Sequence, residues 1–357
     1  MSGSTPGDPP TMGFEKNQQM SADDLCKMAN QLISEASNRE ATQAAEMIET
    51  VTKLLQNDAD LGQLKLINSA LKEMRYSYEI FNKYKGVRKV SIFGSARTPE
   101  DHPDYLAAHE FGRVMADDGW MSITGAGDGI MKAGHEGPTR EASFGLRIRL
   151  PFETTANDVI EGDPKLINFR YFFTRKLMFV SHSDAIAVFP GGFGTQDELF
   201  ESLTLMQTGK SEIVPVVLVE GEGGDYWQQW QKGLTDNLLE KGWISPEDPN
   251  LYHIAPDVES AVEHVLKFYR RFHSSRYVGD RFVMRMTEQI TDAQVRALEE
   301  EFGDLIAKGG IEQSGPLKSE QTHLELPRLH FHFVRRSFAR LRMMIDRLNE
   351  MPIEKDS

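Results

Sequence analysis

The sequence predicts an α/β fold: a Rossmann-like parallel sheet with helices on both faces, an N-terminal helical extension and a small C-terminal α+β appendage. Two observations lead to this prediction. Between residues 86 and 272, short apolar runs alternate with stretches whose apolar residues recur at helical spacing, which is the order of parallel βαβ units. Three of the predicted strands also end in small or glycine-rich residues, as strands do at the ligand-binding edge of an open α/β sheet.

The 357 residues divide into four predicted regions. Residues 1–19, rich in Gly, Pro and Ser, are expected to form a disordered tail. Residues 20–85 carry apolar residues at helical spacing and predict a helical extension, which either covers the core domain or serves as a regulatory or dimerising element. Residues 86–272 form the predicted Rossmann-like domain, and residues 273–357 form the appendage.

Within residues 86–272 each element follows from its apolar pattern. Short apolar runs predict strands covered on both faces, and longer amphipathic stretches predict helices. The predicted order is strand Lys89–Ser95, helix His102–Asp118, strand Trp120–Thr124, a glycine loop, a helix to Ala142, strand Phe144–Leu150, an irregular stretch, helix Thr174–Ser183, strand Asp184–Phe189, a helix to about Gly209, strand Val214–Val219, and helices Tyr226–Lys241 and Asp257–Phe272.

The appendage is predicted from two alternating strands, each followed by an amphipathic helix. The strands are Phe282–Met286 and Leu329–Phe333, the helices are Asp292–Ala307 and Ser337–Asn349, and a polar stretch lies around Gly309–Gln321.

Two features of the appendage are candidate binding sites. His330 and His332 share a strand face at a spacing that metal sites use, but no third ligand is apparent. A solvated strand face is the favoured interpretation, and no metal is predicted. Five arginines in and just before the last helix are interpreted as ordinary surface charge rather than as a nucleic-acid contact: Arg335, Arg336, Arg340, Arg342 and Arg347.

Composition restricts the function further. The formal net charge of -14 argues against nonspecific duplex binding, which needs clustered Lys and Arg, so no specific nucleic-acid partner is expected. Cys26 is the only cysteine, which excludes an intramolecular disulfide and suits a reducing compartment. No secretory signal and no apolar run of eighteen residues is found in the sequence, so the prediction is a cytoplasmic protein with no membrane segment.

The segment Pro190–Glu198 is the most informative motif. It joins an apolar strand to a helix through glycines, and glycines at a helix start let backbone N–H groups approach an anion closely. A carboxylate follows one turn inside the helix. We predict that a phosphate binds to Gly191, Gly192, Gly194 and Thr195, with Glu198 beside it.

Two further strand ends carry similar loops. The first supplies Gly94 and Ser95, and the second supplies Thr124, Gly125, Gly127 and Gly129. Neighbouring loops of this kind fit a nucleotide-sized ligand across the top of the sheet. The second loop fails the dinucleotide fingerprint at its last glycine, and no G-K-[ST] follows a glycine run. No cofactor is therefore predicted.

These motifs together resemble the LONELY GUY (LOG) family, often labelled lysine decarboxylase-like. The resemblance covers about residues 86–272 and rests on Gly94–Arg97, the loop Thr124–Met131, Thr174–Met178 and P-G-G-x-G-T-x-x-E at Pro190–Glu198. It implies a phosphoribohydrolase that acts on nucleoside 5'-monophosphates, including cytokinin ribotides and, in longer bacterial members, AMP. It also implies a dimer or higher homo-oligomer.

The resemblance assigns the family's motif arginine and glutamate to Arg175 and Glu198. The sequence departs from the usual pattern at Ala126, Phe173 and Asp197, which leaves the preferred base open. A ribosyl N-glycosidic bond breaks through a cation-like state that a nearby carboxylate stabilises. We therefore expect Glu198 to stabilise that cation and activate water, Arg175 to hold substrate or steer Glu198, and Lys176 to contribute to substrate binding.

Two other interpretations stay open at this stage. The same glycine loops could bind a nucleotide without turnover, as in a sensing module. A decarboxylase would need a Schiff-base lysine and pyridoxal phosphate, for which Lys176 is the candidate, although no partner for the pyridine nitrogen is apparent.

Overall fold

The computed structural model describes residues 38–150 and 155–352 of the chain, together with residues 27, 29–31 and 34. The predicted disordered tail, residues 1–19, lies outside the described residues. The chain divides into two units, one ending at Ser69 and one beginning at Ala70. No helix among these residues has both the length and the apolar character needed to cross a membrane.

The described part of the N-terminal extension is helical, as predicted. Helix α1 spans Asn38–Gln56 and helix α2 spans Leu61–Phe81. Between them Asp60 caps the second helix: its Oδ1 accepts a hydrogen bond from the Gln63 backbone N–H at 2.9 Å, and the Gln63 side chain accepts one from the Asp60 N–H at 3.0 Å. The part of α2 from Ala70 onward belongs to the second unit, where Ile80 and Phe81 enter the core.

A seven-stranded, fully parallel sheet organises the second unit and confirms the Rossmann-like prediction. Its order is β4-β3-β2-β1-β5-β6-β7. The chain proceeds outward from β1 in one direction and, after β4, restarts at β5 on the other side, so the strand order reverses between β1 and β5. The strands are β1 Lys89–Phe93, β2 Met121–Thr124, β3 Ser143–Ile148, β4 Leu166–Phe169, β5 Ala185–Val188, β6 Val216–Leu218 and β7 His253–Ile254.

Helices cover both faces of this sheet because alternate residues of each strand are apolar on either side. In β1, for example, Val90 and Ile92 belong to one buried cluster and Phe93 to the other. The helices are α3 Pro103–Asp117, α4 Ile130–Glu136, α5 Phe172–His182, α6 Phe193–Gln207, α7 Tyr226–Leu234 and α8 Val258–Phe268.

The C-terminal part forms a four-stranded antiparallel sheet with two helices, as an α+β appendage should. Its strand order is β10-β11-β9-β8, and a separate apolar cluster lies between the sheet and the helices. The elements are β8 Phe272–Val278, β9 Arg281–Met286, α9 Asp292–Phe302, β10 Ile306–Ser314, β11 Arg328–Phe333 and α10 Phe338–Glu350.

The structure corrects the prediction at four strands. β4 lies in the stretch predicted to be irregular, and β7 lies between two predicted helices where no strand was expected. β10 replaces the end of a predicted helix and part of the polar stretch, and β8 begins where a helix was expected to end. Each lies at an edge of its sheet and is paired on one side only. Edge strands keep polar side chains, so the alternation that marks a strand in sequence is weak there.

Two side chains predicted to be solvated are buried. His330 is 3% exposed, with Nδ1 at 2.8 Å from Arg281 and Nε2 at 3.0 Å from the Ser314 hydroxyl. The solvated-face interpretation is therefore wrong for this histidine. Arg342 is 1% exposed, so the surface-charge interpretation is wrong for that arginine as well.

Candidate active site

A cavity of about 800 Å³ opens at the carboxyl edge of the parallel sheet. Its walls include the loops that follow β1, β2 and β5, together with the N-terminal parts of α5 and α6. This is the point where the strand order reverses, and the crevice at such a point is where open α/β sheets bind ligands.

Residues 191–195 form one wall, which we call the cradle. Helix α6 begins at Phe193 and is capped by the backbone of Gly192. Because the first N–H groups of a helix have no intrahelical acceptor, the cradle presents backbone donors and the positive end of the helix dipole to the cavity. Such a terminus stabilises a bound phosphate.

Close packing leaves no room for a side chain at position 191, so this residue must be glycine. A Cβ at this position would lie 2.1 Å from Oγ1 of Thr195 and 3.0 Å from the backbone N of Ser95. The Ser95 N–H in turn donates a hydrogen bond to the Pro190 carbonyl at 3.1 Å. The loops after β1 and β5 are therefore held against each other at the base of the cavity.

Two of the predicted binding residues lie behind the cavity wall. Thr124 is fully buried, and its hydroxyl accepts the Ala126 N–H at 3.0 Å and lies 2.9 Å from Nε2 of His135. Gly129 has φ +60°, and a Cβ there would lie 2.3 Å from the Ser95 carbonyl oxygen. These two residues shape the loop after β2 rather than line the cavity.

The other glycines of this loop do line the cavity. Gly125 and Gly127 lie against the side chain of Met131. A Cβ added at Gly125 would lie 2.6 Å from that side chain, and one added at Gly127 would lie 2.7 Å from it. Gly94 and Ser95 line it from the loop after β1. The structure thus brings most of the predicted glycine positions together around one space.

Glu198 lines the same cavity from the second turn of α6 and is 7% exposed. Burial raises the pKa of its carboxyl group, while Lys176 and Arg175 oppose that rise. One carboxylate oxygen lies 3.5 Å from the Arg175 guanidinium and the other 3.5 Å from the Lys176 ammonium. The result is a buried carboxylate that faces the cavity between two cations.

Arg175 and Lys176 have different surroundings although they are adjacent in α5. The Arg175 side chain lines the cavity, with its guanidinium 5.2 Å from the Phe172 ring centroid and 5.7 Å from that of Phe179. Lys176 lies beside Glu198 on α6, where it pairs with Asp197 at 2.9 Å and with Glu201. Lys176 therefore contacts Glu198 but does not itself line the cavity.

The lining also includes residues that were not among the predicted site residues, such as Arg97, Met131, Phe172 and Gln196. Arg97 belongs to the motif Gly94–Arg97, and Gln196 belongs to the motif Pro190–Glu198. Their positions in these motifs could therefore have identified them as site residues. Met131 likewise ends the quoted loop Thr124–Met131, whereas Phe172 lies outside the quoted motifs, so only the packing shows that Phe172 faces the cavity.

A hydrogen-bond network supports the cradle from helix α7. The Tyr226 hydroxyl donates to the Gly191 carbonyl at 2.6 Å, and the Gln196 amide donates to that hydroxyl at 2.9 Å. The Trp230 indole N–H then donates to the Gln196 side-chain oxygen at 2.9 Å. The cradle is thereby fixed to a helix that follows a different strand.

Comparison with known proteins agrees with this geometry. Residues 125–265 match the family described as "Possible lysine decarboxylase". That range includes the loop after β2, Arg175, the cradle and Glu198.

Three curated relatives carry the same name, cytokinin riboside 5'-monophosphate phosphoribohydrolase. The Mycobacterium tuberculosis protein is 29% identical over 158 residues, 43% of this chain and 81% of that protein. One from Arabidopsis thaliana is 26% identical over 181 residues, 49% of this chain and 80% of that protein. A second from Arabidopsis is 36% identical over 89 residues, 25% of this chain and 40% of that protein.

Solved structures with a similar chain include a molybdenum cofactor binding protein from Rippkaea orientalis and the molybdenum cofactor carrier protein of Chlamydomonas reinhardtii. The first is 20% identical with a TM-score of 0.36 and covers 50% of this chain and 95% of its own. The second is 24% identical with a TM-score of 0.36 and covers 51% of this chain and 97% of its own.

Proposed function

We propose that the chain is a member of the LONELY GUY (LOG) family and that it hydrolyses the N-glycosidic bond of a nucleoside 5'-monophosphate, releasing the free base and ribose 5-phosphate. The observation that carries this proposal is the position of Glu198. It is a buried carboxylate one turn beyond a phosphate cradle, and it faces the same cavity as Arg175. Binding a phosphate alone would not require a buried acid there.

In the proposed complex the cradle holds the 5'-phosphate. The N-terminal backbone donors of α6 and the Thr195 hydroxyl stabilise its charge. The ribose then lies over Glu198, and the planar base lies toward the apolar part of the cavity, which includes Met131, Phe172 and Phe179.

Bond cleavage follows from the charge of Glu198. As the base departs, the ribosyl ring becomes positively charged, and a carboxylate stabilises that state more than the neutral substrate. At about 4 Å and an effective dielectric constant of about 20, the attraction is about 4 kcal/mol, which corresponds to roughly a thousandfold in rate. The base leaves with the electron pair of the glycosidic bond and takes up a proton from solvent to become the free base. Water then adds its hydroxyl to the anomeric carbon, and its proton is removed by Glu198 and returned to solvent.

Arg175 serves this reaction by its charge and its placement. Its guanidinium lies beside both Glu198 and the cavity and is bounded by Phe172 and Phe179. We infer that it binds a phosphate or ribose oxygen of the substrate and keeps Glu198 oriented and ionised.

Substitution of the acid tests the proposal. Glu198→Gln keeps the shape and removes the charge, so release of adenine from AMP should fall about a thousandfold. Glu201→Gln, on the same helix and also paired with Lys176, is the matched control and should retain most of the activity. Chromatography of free adenine measures both. Wild-type turnover by Glu198→Gln would overturn the role of Glu198, and AMP binding without turnover by the wild-type protein would favour a sensing module.

The lysine chemistry suggested by the family's description is less well supported. A Schiff-base lysine must lose its proton to attack a carbonyl. Burial alone would lower the pKa of Lys176, but its hydrogen bonds to Asp197 and Glu201 and the charge of Glu198 outweigh this and raise that pKa. Lys176 is therefore held in the charged form, which is unsuited to a nucleophile.

We also propose a homo-oligomer and a cytoplasmic location, as the family resemblance and the single cysteine suggest. Large apolar side chains of α5 and α6 are exposed, and the first and third of them line the cavity: Phe172 52%, Phe173 53%, Phe193 96% and Phe200 40%. Contiguous exposed apolar surface commonly marks a protein interface. Light scattering coupled to size exclusion should give a mass of at least two chains, and a monomer would contradict this part of the proposal.

A further inference from the structure

A second cavity, of about 710 Å³, lies at the opposite, amino-terminal edge of the parallel sheet. One side is formed by the residues that lead into β1, β5 and β6. The other side is formed by the appendage, from the beginning of β8, from Arg285 of β9 and from His323. Because parallel sheets bind their substrates at the carboxyl edge, this cavity is separate from the candidate active site.

Cations outnumber carboxylates on its walls. Arg88, Lys89, Lys210 and Arg285 line the cavity, whereas the acidic lining residues are Asp184 and Glu212. This is notable in a chain whose formal net charge is -14. An anion would find here a local charge opposite to that of the whole protein.

The arginines are only partly neutralised by their neighbours. Arg88 lies 3.6 Å from Asp184, and its guanidinium is stacked 3.5 Å from the Tyr269 ring centroid. Arg285 is 2.9 Å from Glu320, but Arg328 shares that same carboxylate at 3.0 Å. Two guanidinium groups on one buried carboxylate leave a positive excess behind the cavity wall.

Two histidines lie in this positive environment. The rings of His273 and His323 lie 4.6 Å apart between centroids, and both line the cavity. Burial lowers the pKa of His273 to about 4, and the charges of His323, Arg88 and Arg285 contribute in the same direction. The His273 imidazole is therefore neutral at pH 7 and can donate a hydrogen bond next to permanent cations.

We propose that this cavity binds a small organic phosphate. Its volume is large enough for a phosphorylated metabolite, and its guanidinium, ammonium and imidazole groups are the donors that recognise a phosphate dianion. The ligand would also contact the two catalytic helices, because Leu177 and Ser181 of α5 and Ser202 of α6 line the cavity. The same helices carry Arg175, just before Leu177, and Glu198, one turn before Ser202.

The histidine rings allow a test that is independent of catalysis. Titration of the full chain with inorganic pyrophosphate, followed by carbon–proton correlation spectra of the histidine rings, should give saturable shifts of the His273 and His323 resonances. His273→Gln and His323→Gln assign these signals. The shifts distinguish this cavity from the active site, which contains neither histidine in its lining.

Charge removal completes the test. Lys210→Gln, an exposed residue whose loss should not affect folding, is expected to weaken binding several-fold, and Arg88→Gln with Lys210→Gln at least about tenfold. Lys241→Gln, exposed and outside the cavity, is the matched control and should bind like the wild type. Absence of saturable shifts, equal affinity in the Lys210→Gln variant, or equally tight binding of citrate would overturn the proposal.

Discussion

At the scale of the residue, Glu198 shows how far a sequence motif determines a site. The family resemblance implied that Arg175 either holds substrate or steers Glu198, and in the structure the two side chains lie 3.5 Å apart. The motif could not predict which cation faces the cavity. Arg175 lines it, whereas Lys176 is drawn to Asp197 and Glu201 of α6, and that choice depends on the packing between the two helices.

The position of Lys176 predicts a shift in the pH dependence of the reaction. Burial raises the pKa of Glu198, and Lys176 is the first of the cations that oppose this. If Glu198 must be ionised, activity is lost as the pH falls through that pKa. Lys176→Met should raise the pKa further, so the acid limb of kcat/KM against pH should move to higher pH. Lys232→Met, on α7 and outside the lining of this cavity, is the control whose acid limb should not move.

The measurement is a kcat/KM profile of AMP hydrolysis over the acid range for the wild type and both variants. A Lys176→Met profile with an unchanged acid limb would show either that Glu198 is not the ionising group or that Lys176 does not act on it. A loss of activity equal at every pH would instead indicate a purely structural role for Lys176.

At the scale of the element, the start of α6 depends on two adjacent glycines with different surroundings. A Cβ on Gly191 would lie 2.1 Å from Oγ1 of Thr195, whereas a Cβ on Gly192 would meet nothing within 4 Å. Gly191→Ala should therefore displace the cradle and raise the KM for AMP at least about tenfold, whereas Gly192→Ala should change it little.

Steady-state kinetics of the two alanine variants test this difference, with circular dichroism to verify that both fold. Both variants remove one glycine from the same loop, so a difference between their KM values must come from the close contact at Gly191 and not from the loss of a glycine. Equal kinetic effects at the two positions would mean that the cradle's backbone flexibility, rather than the contact with Thr195, governs phosphate binding.

The elements that sequence could and could not predict differ in their surroundings. β1 and β5 lie in the middle of the parallel sheet, all their residues are buried, and their apolar runs were recognised as strands. β10 is an edge strand with several exposed positions, it contains Gly309 with φ +71°, and its register with β11 is irregular. A strand of this kind is defined by pairing with its neighbour, which leaves little trace in its own composition.

At the scale of the whole molecule, Arg342 connects the appendage to the parallel sheet. From α10 it pairs with Asp346 at 2.9 Å, lies 3.0 Å from Nε2 of His264 in α8, and donates to the Val214 carbonyl just before β6 at 3.4 Å. The sequence placed this arginine on the surface because its helix is basic throughout. Only the packing of α10 against the sheet shows that one of these arginines is enclosed.

Arg342 is therefore expected to contribute to stability far more than the exposed arginine five residues later. Arg342→Met would leave Asp346, His264 and the Val214 carbonyl without this partner, and breaking a buried ion pair costs about 3–5 kcal/mol. Because Asp346 keeps a side-chain exposure of 36%, water compensates part of the loss, and we expect a value of about 3 kcal/mol. Arg347, paired with Glu301 at 3.1 Å, has a side-chain exposure of 44%, so Arg347→Met should cost less than about 1 kcal/mol. Urea unfolding followed by far-ultraviolet circular dichroism measures both variants.

If the Arg342 contacts hold the appendage on the sheet, Arg342→Met should also split the unfolding transition into two, with the appendage unfolding first. A single transition at the wild-type midpoint would show that the apolar packing around α10, rather than this arginine, joins the two sheets.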